Sequence, residues 1–220
     1  MKTLSIQAFG CGLAAAASIF ALHTSQPATS IDSSQTSYSA DLDTNSLGVH
    51  YNGEKVSGLV TAEADKTITV VSNDPDDSTS CAVLQLHNPE DRFLLENTAS
   101  VTLRRGVDSS TAPTWIEHGA GTIYYLSAKV MKKPGTTVAR PSGSGVRVKR
   151  SRMSLVASGT VFSLSAGTVN GVKTWTIKVF QGTITLENTD PIYRGTKVVF
   201  PGQTVTFMDN QSASSASVSG

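Results

Sequence analysis

This chain has little of what marks a reactive or a membrane-embedded protein. It has two cysteines in 220 residues, Cys11 and Cys81. Cys11 lies in an N-terminal segment expected to be removed. Cys81 then stands alone, and no intramolecular disulfide can form. Charged residues are 16% of the chain, aromatics 6%, and the net charge is +1. So balanced a charge produces no global field that would argue for nucleic-acid binding. The histidines beyond the N-terminal segment, His50, His87 and His118, are far apart and in no metal spacing. Each reads as a surface or turn residue. There is no Gly-x-Ser-x-Gly elbow, and no histidine stands beside Cys81 to activate it. These absences argue against an enzyme and against a metal or other cofactor. No segment after the N-terminus carries three turns of helical periodicity or a second long apolar run.

What is present begins with a targeting segment. Lys2 gives a minimal positive region, Phe9 to Leu22 is apolar, and small and polar residues follow to Ser30. This is the layout of a secretory signal peptide, with cleavage after Ala21 or Ala28. An uncleaved anchor is the alternative, but the apolar run is short against the roughly 20 residues that span a bilayer. Residues 1–28 are therefore expected to be a signal peptide, and the mature protein to be exported with no membrane span. Residues 29–46 are rich in Ser, Thr, Asp and Gln and are expected to be a flexible leader. Residues 209–220 are expected to be a disordered tail. The folded body is then residues 47–208, a single-domain length.

Within the body, Ser, Thr, Gly and Val dominate and strands are the expected element. Lys66–Val71, Ala82–Leu86, Ser100–Leu103 and Thr122–Leu126 alternate with period two. Thr160–Ser165 places Phe162 and Leu164 on one face, and Thr174–Val179 does the same for Trp175, Ile177 and Val179. Between them Asn170-Gly171 has the chemistry of a tight hairpin turn, since both residues tolerate positive φ. Gln181-Gly182 is expected to turn next, with Ile184 and Leu186 inward. Pro201-Gly202 fits a type II turn, after which Val205 and Phe207 close the sheet. Many short antiparallel strands with turns at close spacing predict an all-β sandwich or jelly-roll-like arrangement. No exact internal repeat argues for a solenoid.

The only basic concentration is Lys132, Lys133, Arg140, Arg147, Lys149, Arg150 and Arg152. Arg147 and Lys149 alternate with Val146 and Val148, which suggests one exposed strand face. Lys132, Lys133, Arg147, Lys149, Arg150 and Arg152 are the candidate partner-binding residues, for an acidic envelope protein or an anionic polymer. The alternative is an edge strand kept soluble by positive charge. Asn73-Asp-Pro-Asp-Asp77 could hold Ca²⁺ through several oxygens, or be a solvated turn. Trp115, Tyr124, Tyr125 and Trp175 could form a carbohydrate platform, or be core and rim packing. Cys81, before Ala82-Val83-Leu84, reads as a buried inert thiol.

Four glycine-bearing elements occur in order: Gly121-x-Ile-Tyr-Tyr-Leu-Ser127, Gly159-Thr-x-Phe162, Val179-x-x-Gly182-x-Ile-x-Leu186 and Pro201-Gly-Gln203. With looser support from Ala82–Leu86 and Phe93–Val101, this series resembles the FecR-type domain family over roughly residues 55–208. The resemblance implies an all-β, non-enzymatic domain outside the cytoplasmic membrane. The best-known members relay a transport signal through one membrane span and a cytoplasmic anti-sigma segment. This chain has a signal peptide and leader in their place, which points instead to a stand-alone exported domain. The expected function is binding of an envelope protein or polymer. A structural surface component and a polysaccharide-acting enzyme are the alternatives. Gly159 and Gly182 stand where strands begin or reverse, so Gly159→Val is expected to destabilise the domain.

Overall fold

The structure is a computed structural model, and it describes residues 40–44, 48–63, 65–71, 81–86, 91–96, 98–104, 115–127, 130, 146–157 and 159–220. The described residues form strands almost throughout. In chain order they are β1 (Ala40–Thr44), β2 (Val49–Tyr51), β3 (Glu54–Lys55), β4 (Gly58–Ala62), β5 (Thr67–Val70), β6 (Ala82–Leu86) and β7 (Arg92–Leu95). There follow β8 (Ser100–Arg104), β9 (Trp115–Ala120), β10 (Thr122–Leu126), β11 (Val146–Arg150) and β12 (Met153–Ala157). The last are β13 (Val161–Val169), β14 (Val172–Gln181), β15 (Ile184–Asn188), β16 (Gly195–Val199), β17 (Thr204–Met208) and β18 (Ser217–Ser219).

Two nine-stranded sheets result, as the period-two patterns predict for an all-β sandwich. Sheet A runs β18-β17-β14-β13-β10-β7-β6-β1-β4 and sheet B runs β16-β15-β12-β11-β9-β8-β5-β2-β3. All pairs are antiparallel except β9 with β11. The chain adds a strand or a hairpin to one sheet, crosses, and adds the next to the other, so from β5 and β6 onward strand number rises along both sheets together. The inward residues of both sheets make one core, including Phe93, Tyr125, Phe162, Trp175 and Phe207, all fully buried. Phe93, Tyr125 and Phe162 pack in series as tilted ring pairs with centroids 5.0 Å apart at each step. Ile177, Val179, Leu164, Ile184, Leu186 and Val205 face inward as alternation requires. Cys81 is buried in a second, smaller cluster with Val83 and Leu94.

The glycines mark two kinds of reversal. Asn170 and Gly171, at φ 51° and 80°, join β13 to β14 with Val169 paired to Val172, the expected two-residue hairpin. Pro201-Gly202 lies in a turn closed by the Gln203 N–H donating to the Phe200 carbonyl, with Gly202 at φ 85°. Gly121, Gly159 and Gly182 also have positive φ, but they sit where the chain passes between sheets. Gly182 was expected to make a turn; the turn it makes carries the chain from β14 in sheet A to β15 in sheet B. A Cβ on Gly182 would lie 2.6 Å from the Gly159 carbonyl oxygen. A Cβ on Gly121 would lie 2.5 Å from the Ala99 Cα. Each of these crossings thus packs backbone to backbone against another crossing, which only glycine permits.

Two expectations for the termini are corrected. Residues 40–44, placed in the flexible leader, form β1 between β4 and β6, paired to both. What orders them is backbone pairing on two sides, which needs little apolar content. Residues 209–220, expected to be disordered, are folded. Ala213–Ser215 is a short 3₁₀ helix, and β18 pairs with β17 through Val205 and Val218. Ala213 and Ala216 are buried in the core. The Asn188 side-chain amide donates to the carbonyls of Asp209 (3.0 Å) and Gln211 (2.8 Å), and Lys197 Nζ donates to that of Ala216 (2.6 Å). Small side chains let the segment fit, and anchors from β15 and β16 hold it.

Candidate functional site

Strand β11 carries three of the basic residues, Arg147, Lys149 and Arg150, and its alternation places each of them. Its alternation buries Val146, Val148 and Arg150 and leaves Arg147 and Lys149 on the outer face of sheet B. Strand β11 is flanked by β9 and β12, so it is not an edge strand. The need to protect an edge therefore does not account for its charges.

On the outer face, the parallel pairing sets Arg147 beside Trp115 and Lys149 beside Glu117. Lys149 Nζ lies 4.2 Å from the centroid of the half-buried Trp115 ring, a cation–π contact. Glu117 is already committed: its Oε2 accepts from Arg104 Nε (2.9 Å) and Nη2 (2.8 Å). Arg104 also reaches Asp65, at 3.3 Å. These hydrogen bonds, to Glu117 first and Asp65 next, hold the Arg104 guanidinium above its ordinary pKa. Arg147 makes no ion pair among the described residues, and its Nε is buried without an acceptor. Burial and the adjacent Arg147 both lower the Lys149 pKa, against a smaller opposing pull from Glu187. Trp115, Arg147 and Lys149 are thus a compact cationic and aromatic group short of anions.

The other candidates divide. Arg152 follows β11 in the turn and pairs with the buried Asp190, so its charge is neutralised within the fold. Arg150, a candidate partner-binding residue, is 9% exposed and points into the core. The physical reason is the strand period: Arg150 shares its face with Val146 and Val148. Its Nη1 donates to the Gly119 carbonyl and more weakly to that of His118 (3.5 Å), and its Nη2 donates to that of Gly167 (3.1 Å). Lys132, Lys133, Arg140, His87 and the acidic stretch 73–77 lie outside the described residues. Among the described residues no group of three His, Cys, Asp or Glu could hold a metal ion. No helix among them is long and apolar enough to cross a membrane.

His118 corrects a further expectation. It is 1% exposed, on the inner face of β9 two residues from Ile116. Its Nε2 donates to the Gly121 carbonyl at 3.1 Å, and its ring stacks against Trp175 at 6.4 Å. Its Nδ1 is buried without a partner. Burial, and then the neighbouring Arg150 charge, push its pKa down to about 4. His50 is half-buried on β2. Of the four aromatics, Tyr125 and Trp175 are core and Trp115 faces outward. Tyr124 is half-buried against Glu96, which shares a hydrogen bond with its hydroxyl. Burial, then the charge of Glu96, pushes the Tyr124 phenol up to about 12.

No family model matches this chain, and no curated protein does. Two similar solved structures are crystal structures from Parabacteroides distasonis ATCC 8503, each assigned only provisionally as an anti-sigma factor. The first, at 2.50 Å, is 11% identical with a TM-score of 0.46 over 70% of this chain and 59% of that one. The second, at 1.65 Å, is 11% identical with a TM-score of 0.40 over 60% of this chain and 51% of that one. The chain thus spans between about half and three-fifths of their lengths. At these values neither neighbour assigns a role to any residue here.

Proposed function

We propose that this protein is an exported, non-enzymatic recognition domain whose outer sheet B face binds an anionic group of another envelope component. The observation that carries this is Arg147. It projects from a mid-sheet strand beside Trp115 and Lys149, and no carboxylate among the described residues pairs with it. An outward guanidinium with no ion-pair partner among the described residues and a second cation nearby favours an incoming carboxylate, sulfate or phosphate. Trp115 offers a flat apolar surface beside that charge. The group is small, since Arg150 is buried and Arg152 is already paired. It therefore suits one acidic substituent better than a long polyanion. Export rests on the N-terminal signal-peptide pattern, and the absence of catalysis on the motif reading and the FecR-type resemblance.

The test is a pull-down from envelope extract of the native host, with the mature chain as bait and mass spectrometry as readout. Wild type should retain a discrete partner that Arg147→Ala and Trp115→Ala lose. Those variants should melt within about 1 kcal/mol of wild type, as surface substitutions do. A partner retained equally by both variants would remove this face from the reading. An abundant protein with no partner at all would favour a structural role.

A further inference from the structure

A second feature concerns the interior and stands independently of any ligand. His118 and Arg150 meet inside the sandwich, where Arg150 reaches from β11 in sheet B across to the Gly167 carbonyl of β13 in sheet A. On its way it donates to carbonyls of His118 and Gly119 in β9. One buried guanidinium therefore ties three strands and both layers together. Among the described residues it makes no ion pair, and its Nε has no acceptor. It tolerates His118 as a neighbour only while the imidazole is uncharged.

We propose that His118 and Arg150 form an acid-sensitive latch between the two sheets, closed while the imidazole is neutral and released when it takes up a proton. The tautomer supports this. Nε2 carries the hydrogen given to the Gly121 carbonyl, so a second proton must go to Nδ1, which is buried and has no acceptor. The Ala120 and Gly121 carbonyls favour the charged ring, but less than burial and Arg150 oppose it, and no described side chain beside the ring brings a negative charge to it. On β9 itself, Glu117 faces outward and is held by Arg104. From β8, Val101 stands opposite His118. From β10 the inward Tyr125 hydroxyl is given to Asp91 (2.6 Å). From β13 and β14 come Gly167, Thr174 and Trp175, none of which carries a charge. On β11 the outward Arg147 and Lys149 add only positive charge. Asp209, after β17, acts on Arg150 by charge alone.

The sign follows from linkage. The folded-state pKa of His118, about 4, lies below the ordinary 6.5. Its stabilising effect is whole above pH 6.5 and is lost as pH falls toward 4. The expected loss is roughly a hundred-fold rise in the unfolding equilibrium constant between pH 7 and pH 4. Strand β11 also presents Arg147 and Lys149 outward, so the latch and the candidate site share one strand.

The experiment compares urea unfolding of the full mature chain at pH 7, 6, 5 and 4 for wild type and His118→Phe, with NMR titration of ring-labelled histidine. Wild type should lose stability more steeply than His118→Phe by about that hundred-fold. The His118 ring should titrate near 4 in wild type and higher in Arg150→Met, where the neighbouring charge is gone. If His118→Phe does not fold, the titrations of wild type and Arg150→Met decide alone. A wild-type midpoint of 6 or above, or one unmoved by Arg150→Met, overturns the latch. So does an identical acid response in His118→Phe.

Discussion

Three glycines with similar φ angles are expected to behave differently, because of what lies beside each. Gly202 has nothing within 4 Å of a would-be Cβ. Gly202→Ala should cost about 1–2 kcal/mol, the strain of a left-handed backbone on an L-residue. Gly121 and Gly182 face backbone atoms at 2.5 and 2.6 Å. Gly121→Ala and Gly182→Ala should each cost about 3 kcal/mol or more, strain plus displacement of a packed crossing. Urea midpoints of the three variants check this, and equal losses would refute the crossing contacts. Gly159→Val, at φ 66°, should cost at least the left-handed strain, since valine is β-branched. In the sequence all these glycines look alike. Positive φ was legible from Asn170-Gly171 and Pro201-Gly202, but nothing in Gln181-Gly182 distinguishes a hairpin from a passage between layers. The buried histidine was more legible than expected. Trp115-Ile116-Glu117-His118 alternates, and that alternation puts His118 on the face of Ile116. Another interior pair has its own test. Tyr125 donates to the fully buried Asp91, so Tyr125→Phe should lower stability by about 1–3 kcal/mol through a carboxylate deprived of a donor. A melting temperature equal to wild type would show that Asp91 is satisfied without it.

At the scale of elements, β11 and the C-terminal segment teach opposite lessons. The five residues Val146–Arg150 contain their own answer, since period two assigns Arg147 and Lys149 outward and Arg150 inward. Reading the basic residues as one run obscured that. Trp115 could not be linked to them from sequence, because it comes from β9 through a parallel pairing across about thirty intervening residues. For residues 209–220 the local composition points to disorder, and the segment is folded because of partners elsewhere. Asn188 on β15 gives both amide hydrogens to its carbonyls. Asn188→Ala should therefore release the segment and cost about 1–3 kcal/mol. Limited proteolysis would show it as new cleavage between Asp209 and Gly220. Unchanged resistance would mean that β18 and the buried Ala213 and Ala216 suffice.

For the whole molecule, the rising strand order in both sheets means that each hairpin packs chiefly on the ones beside it in the chain. Native-state hydrogen exchange should then be graded. Amides of β10, β13, β9 and β11 in the middle of the sheets should be slowest. Those of β3, β4, β16 and β18 at the four open edges should be fastest. Uniform protection across the sheets would instead indicate a single cooperative unit. Alternation told which residues face inward but never which sheet a strand joins, since both sheets present the same pattern to a shared core. The sandwich was therefore readable, and its partition was not.

The progression breaks at one end of each sheet, with β1 inside β4 and β2 inside β3, and the first of these has a consequence for the order of events in time. Strand β1 lies between β4 and β6. Its slot does not exist until the chain has been made as far as Leu86. Most other strands can join a neighbour that was synthesised shortly before them. Residues 40–44 emerge early, can pair on one side once β4 follows them, and must wait for about forty residues before β6 can close the other side. In a chain folding as it emerges, the earliest strand is among the last to be placed at its end of the sandwich, and that end stays open until it arrives.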